Sequence, residues 1–144
     1  MNDVKQTIVV VPCSGIGKSL GTVSRETAYE LCETLRPETT QLVALSKLVL
    51  GDPQAREQVS HSPAVTIDGC KQMCASKLVK YSGGTVVREV AVFEEFRHHR
   101  DLKPEGIAEL NQKGRQLARV LAEEIAVKID AIGRSGDGQG GQHA

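Results

Sequence analysis

Tryptophan is absent from the sequence and aromatic side chains make up only 3% of its 144 residues, so the core has to be built from Val, Leu, Ile and Ala. Charge of one sign is not in excess either. Eighteen basic side chains balance eighteen acidic ones, which removes the net pull that draws a protein toward nucleic acid or an anionic membrane. No apolar run approaches the roughly 20 residues that cross a bilayer. The opening "MNDVKQTIVVV" passes from polar residues straight into a strand-like run, without a leader pattern. The expectation is a cytoplasmic protein that engages neither nucleic acid nor a membrane. Enzyme constellations are missing as well: there are no paired carboxylates, no Ser/His/Asp set and no base placed against a nucleophile.

A chain of this length suits one domain that buries roughly two-thirds of its unfolded surface. That domain is expected over residues 1–133, with 134–144 ("RSGDGQGGQHA") a disordered, glycine-rich tail. The tail contains "GGQ", the tripeptide of peptide release factors, but three residues in a low-complexity segment amount to chance. The β-branched run Thr7 to Val11 predicts a strand covered on both faces. A helix is expected from an N-cap at Ser24 through Leu35, closed by Pro37. "QLVAL" (41–45) reads as a short strand, although "LVALSKLVL" also suits a buried helical turn. Asp52-Pro53 starts a short helix through Val59, and "AVTI" (64–67) is a second buried strand. Cys70 to Tyr81 reads as a helix ended by Gly83-Gly84. Val86 to Phe93 is a strand whose two charges suggest an edge position. Pro104 to Ile132 shows the periodicity of a long amphipathic helix that stops at Gly133.

Strands alternating with helices predict an α/β fold with a single open, mostly parallel, flavodoxin/Rossmann-like sheet of about four strands, the first beside the third. In such sheets a site lies beyond the carboxyl ends of the strands, where the strand order reverses. Two segments fall there. In "VVVPCSGIGKSLG", Gly17-Lys18-Ser19 has the ending of a phosphate-binding loop, but Pro12 stands where that loop needs its first glycine and has no amide hydrogen to offer phosphate. Ser14, Gly15, Gly17 and Lys18 are better read as the setting of Cys13, with anion or nucleotide binding at Gly15–Ser19 as a lesser alternative.

The other segment, "DGCKQMC", carries Cys70 and Cys74. If both lie on one helix, their Cβ atoms are about 5–6 Å apart on one face, with Asp68 as the cap and Gly69 in the turn. Thiolates serve both as soft-metal ligands and as nucleophiles. Cys13, Cys70 and Cys74 could thus hold zinc or another soft ion such as Cu(I) or iron, with water, a carboxylate, a His or Cys32 as the fourth ligand. Cys32 is the weaker candidate because it lies well inside the first helix. Of the histidines, His61 sits at the wrong end of its strand, while His98 and His99 remain candidates. The same thiols could instead serve redox or sulfur transfer.

"PCSGIGK" and "IDGCKQMCASK", with their spacing, resemble the DGC-domain family, small proteins named for their Asp-Gly-Cys motif. The resemblance runs from about Thr7 to Phe93 and implies a zinc-binding cysteine cluster in an α/β domain, with no established reaction or partner. Matching the motifs, Cys13 corresponds to the first family cysteine and Cys70 and Cys74 to the last two. The remaining family cysteine would end the second strand, where this chain reads "QLVALS". A three-cysteine site is what transfers.

Overall fold

Ile8 to Pro12 are all buried because the strand they form is covered on both faces. This strand, β1 (Ile8–Pro12), stands inside a four-stranded sheet of order β2-β1-β3-β4, with β2 at Thr40–Leu42, β3 at Pro63–Asp68 and β4 at Thr85–Ala91. Every adjacent pair is parallel. The structure is a computed structural model that describes residues 7–13 and 18–138, with side chains as far as residue 133. Helices cover both faces: α1 (Ser19–Tyr29), continued by a π-helical stretch at Glu30–Leu35, then α2 (Leu45–Leu50), α3 (Pro53–His61), α4 (Cys74–Tyr81), α5 (Val92–Glu95) and the long α6 (Gln112–Gly138). Among the described residues no helix is long and apolar enough to cross a membrane.

The two faces of the sheet carry separate cores. Ile8, Val10, Val65 and Ile67 point toward α1 and α6, where they meet Val23, Leu31, Leu117, Leu121 and Ile125. Val9, Val11 and Ala64 alternate to the other face and pack with Leu48, Val59, Ala75 and Val79 of α2, α3 and α4. Arg36, just past the π-helical stretch, clasps Asp130 of α6 through two contacts of 2.7 and 2.8 Å. β4 takes the edge, and its charged Arg88 and Glu89 are exposed, as suits an unpaired border.

The structure departs from the sequence reading at several places, among them the strand expected through Phe93, which ends at Ala91 just before α5 begins. Ser24 does not cap α1, which begins at Ser19. It is buried within the helix, and its hydroxyl donates to the carbonyls of Gly21 (2.7 Å) and Cys13 (3.0 Å), so it anchors the end of β1 instead. The ambiguous "LVALSKLVL" divides into both readings, since β2 is short and α2 begins at Leu45. The long helix starts at Gln112 and not at Pro104. Asn111 is the reason: its side-chain oxygen accepts from the amides of Gly114 (2.9 Å) and Glu105 (3.0 Å), and its side-chain amide donates to the Lys103 carbonyl (3.2 Å). One side chain thus caps α6 and folds the preceding loop against it. The turn also needs Gly106, whose φ of +98° strains any residue with a Cβ. Finally, α6 continues past Gly133 to Gly138; the rest of the glycine-rich tail, 139–144, lies outside the described residues.

Because Asn111 serves a helix and a loop together, its loss should exceed that of an ordinary cap. Asn111→Ala is expected to lower the unfolding free energy by about 1–2 kcal/mol in urea denaturation, at the upper end for a lost N-cap.

Candidate functional site

The register of the central strands decides which segments meet. Pro12 of β1 pairs with Ile67 of β3, so Cys13 and Asp68, the next residues, stand side by side at the carboxyl ends of the two strands. The Cys13 amide donates to the Ile67 carbonyl (2.8 Å) and its carbonyl accepts from Ser24, which fixes this backbone from both sides. Alternation sends the Cys13 side chain with Val9 and Val11 to the α4 face, where it is 6% exposed and belongs to the buried cluster.

Asp68 is fully buried at the end of β3. Its two carboxylate oxygens accept from the amides of Ala75 (2.8 Å) and Ser76 (3.2 Å), the groups a helix N-cap normally satisfies. The residue at the N-cap position itself, Met73, offers no side-chain bond and adopts a left-handed backbone (φ 53°), a conformation that costs a non-glycine residue about 1–2 kcal/mol. Gly69 follows Asp68 where a Cβ would lie 2.8 Å from the Gly21 nitrogen and 2.8 Å from the Leu20 oxygen. The end of β3 therefore touches the backbone of α1 directly, and only glycine permits that approach.

These contacts overturn the predicted helix over Cys70 to Tyr81. The amides that Asp68 captures set the start of α4 at Cys74, and the chain between must turn, with the Met73 amide donating to the Cys70 carbonyl at 3.2 Å. Cys70 and Cys74 consequently do not share one helix face. Cys74 packs against the buried cluster that contains Cys13. Cys70 instead lines an open cleft of about 640 Å³ with Lys18, Leu20, Lys71, Phe93, Pro104 and Ile107. Cys32 packs against the core on the α1 and α6 face, away from Cys13, and burial pushes its thiol above the ordinary range, opposed by a hydrogen bond with Thr40. None of the four cysteines is in a disulfide. His61 closes α3 near the start of β3, at the far end of the sheet, and His99 contacts Glu124 of α6 at 3.2 Å. Ser14, Gly15 and Gly17 lie outside the described residues. Among the described residues no group of three or more His, Cys, Asp and Glu side chains is arranged to hold a metal ion.

Three supporting residues, Ser76, Lys80 and Glu89, escaped the sequence reading. Ser76 donates its hydroxyl to Glu89, and Lys80 reaches the same carboxylate at 3.1 Å, so α4 is tied to β4 just behind Asp68. In the sequence Glu89 is one of two charges on an edge strand, and no local signal separates it from Arg88. Burial raises the Asp68 carboxyl above its ordinary range; the Ala75 and Ser76 amides pull it back, and Glu89 adds to the rise. Glu89 is held low, first by the Ser76 hydroxyl and then by Lys80.

Three outcomes follow for stability. Gly69→Ala places a methyl group against backbone that cannot swing aside and should cost about 1–3 kcal/mol in denaturant unfolding; an unchanged midpoint would contradict the contact. The folded chain holds the Asp68 proton more tightly than the unfolded one. This contribution is therefore complete below the ordinary carboxylate pKa of about 4 and is lost as pH rises through the higher folded value. Asp68→Asn should remove that slope, so the stability gap between wild type and variant should change in the variant's favour across the same interval. Glu89 works with the opposite sign, and Glu89→Gln should remove stability that the wild type gains as pH rises through the acid range.

Comparison with known proteins is consistent with the motif reading. No curated protein and no solved structure matches the chain. The family model described as the DGC domain matches residues 9–114, a span that runs from β1 through α4 and β4 into the start of α6. The chain belongs to the DGC-domain family.

Proposed function

We propose that this protein is a cysteine-thiolate metal-binding protein, with zinc as the first ion to test and Cys13, Cys70 and Cys74 as its ligands. The observation that carries this reading is the pairing of Pro12 with Ile67, which sends the Cys13 loop and the "DGCKQMC" segment off the same end of the sheet as neighbours. Thiolates in this number suit a soft or borderline ion with an exchangeable fourth position, the arrangement of a site that handles, senses or uses a metal.

The donor chemistry fits such an ion, whereas the placement of the donors does not close around one. Cys13 and Cys74 belong with the α4 face and Cys70 with the cleft. Binding therefore requires Cys70 to come over from the cleft, and the turn between Gly69 and Met73 is where the chain has to give. Its left-handed Met73 is the described non-glycine residue with a positive φ, so strain already resides in the segment that has to move. Ser14, Gly15, Gly17 and Lys18 would shape the Cys13 side of the site, and Asp68 and Gly69 the other.

A second reading rests on a different observation. Cys70 stands in an open cleft beside Lys18 and Lys71, a setting that suits a thiol reacting with a small molecule. Thiol-dependent redox or sulfur transfer is then the function, and metal binding is incidental or absent.

Elemental analysis of the untagged protein decides between them. Metal binding predicts about one equivalent of zinc per chain, lost in Cys13→Ser and in Cys70→Ser. In the cobalt-substituted protein, intense thiolate-to-metal absorption should fall with each Cys→Ser change. A metal-free chain that takes up no zinc and keeps its thiols titratable in zinc buffer overturns the first reading.

A further inference from the structure

The Cys70 cleft has the makings of a small-molecule site in its own right. Its volume of about 640 Å³ falls within the range of roughly 300–1,000 Å³ typical of such sites. One wall is apolar, from Leu20, Phe93, Pro104 and Ile107. In a chain so poor in aromatics, Phe93 is one of two phenylalanines, and Ile107 is an apolar side chain left 52% exposed. That wall is held in place from behind: the Thr22 hydroxyl donates to the Ile107 carbonyl at 2.6 Å, and Asn111 pins Lys103 and Glu105.

The charge at the rim has a definite sign. Lys18 and Lys71 are exposed, and neither takes part in an ion pair among the described residues. Glu105 is the acidic residue of the lining, so the cleft carries a net positive charge. α1 begins at Ser19 on the same wall with no acidic residue in its first turn and no side-chain bond from its N-cap residue, so the positive end of its dipole adds to that charge. An apolar wall, two lysines outside any ion pair among the described residues and a thiol within one cleft suit a small organic anion with an apolar body that carries sulfur.

We propose that the cleft binds low-molecular-weight disulfides bearing carboxylates and that Cys70 exchanges with them. This rests on the thiol reading of Cys70 and is independent of metal binding. The Cys70 thiol gives its proton to solvent and its thiolate attacks one sulfur of the bound disulfide. The disulfide bond breaks, a mixed disulfide forms on Cys70, and the other half leaves as a thiolate. The disulfide is the oxidant, and Lys18 and Lys71 are positioning residues that hold its carboxylates.

The test uses the full chain with chelator present, so that bound metal cannot mask the thiol. Reaction of each cysteine is followed by peptide mapping with 5,5′-dithiobis(2-nitrobenzoate), an anionic aromatic disulfide, and with neutral 4,4′-dithiodipyridine. Each rate is divided by that of the same cysteine in the urea-unfolded chain, which removes intrinsic differences between the reagents. The expected result is a folded-state preference for the anionic reagent of about tenfold or more at Cys70, the size of one modest charge-assisted contact. The Lys18→Gln/Lys71→Gln double variant should lose that preference while keeping its reaction with the neutral reagent, which also reports that the fold is intact. Equal normalised rates for the two reagents, or first reaction at Cys74 or Cys32, overturn the proposal. The metal reading stands or falls separately on metal content.

Discussion

The Asp68 carboxylate, buried where β3 ends, accepts from the first amides of α4, and everything around the strand ends is arranged to fit that contact. A buried charge is costly unless hydrogen bonds meet it, and the helix amides meet it here. Because these amides belong to Ala75 and Ser76, the start of α4 is fixed, and the residues between strand and helix are left to make a turn with Met73 in a left-handed conformation. Gly69 must then pass against the backbone of α1. The three letters of the family motif accordingly have three separate physical duties: a helix cap, a close approach and a thiol presented to the cleft.

The pleat of the sheet sorts the chemistry further. Cys13 inherits the orientation of Val9 and Val11 and is buried in the cluster against which the half-buried Cys74 packs. Cys70 has left the strand, is free of that alternation, and stands on the wet side among lysines. The same few residues therefore provide two kinds of sulfur: one shielded and soft, suited to a metal ligand, and one accessible to solutes. A site that joined them would have to carry Cys70 across the end of the sheet.

Much of this could be read from the sequence, because the signals were local and redundant. A run of β-branched residues in β1 and in β3, separated by helical segments, leaves few topologies, and the neighbouring of Cys13 with the "DGC" segment follows from the parallel order. What could not be read depended on long-range partners. Ser24 has the composition of a cap, yet its use is to hold the Cys13 carbonyl across the helix-strand interface. Cys70 and Cys74 have helical spacing and Asp68 was legible as the cap, but spacing does not reveal that Asp68 reaches past both cysteines to the amides of Ala75 and Ser76. The periodicity from Ile107 onward looked unbroken because Leu110 is buried in the loop as it would be in a helix. Asn111, an unremarkable polar residue inside that pattern, marks the true boundary.

Asn111 also determines how the molecule transmits force. Its side chain joins the loop that forms one wall of the cleft to the first turn of α6, and Thr22 ties the same loop to α1. Further along, Arg36 clamps α6 to the chain that continues from α1. Wall, long helix and first helix are thus tied to one another by side-chain hydrogen bonds, the kind of linkage that makes segments exchange their amides with solvent together. A change in that wall is therefore carried through Asn111 to the first turn of α6, the longest of the described helices.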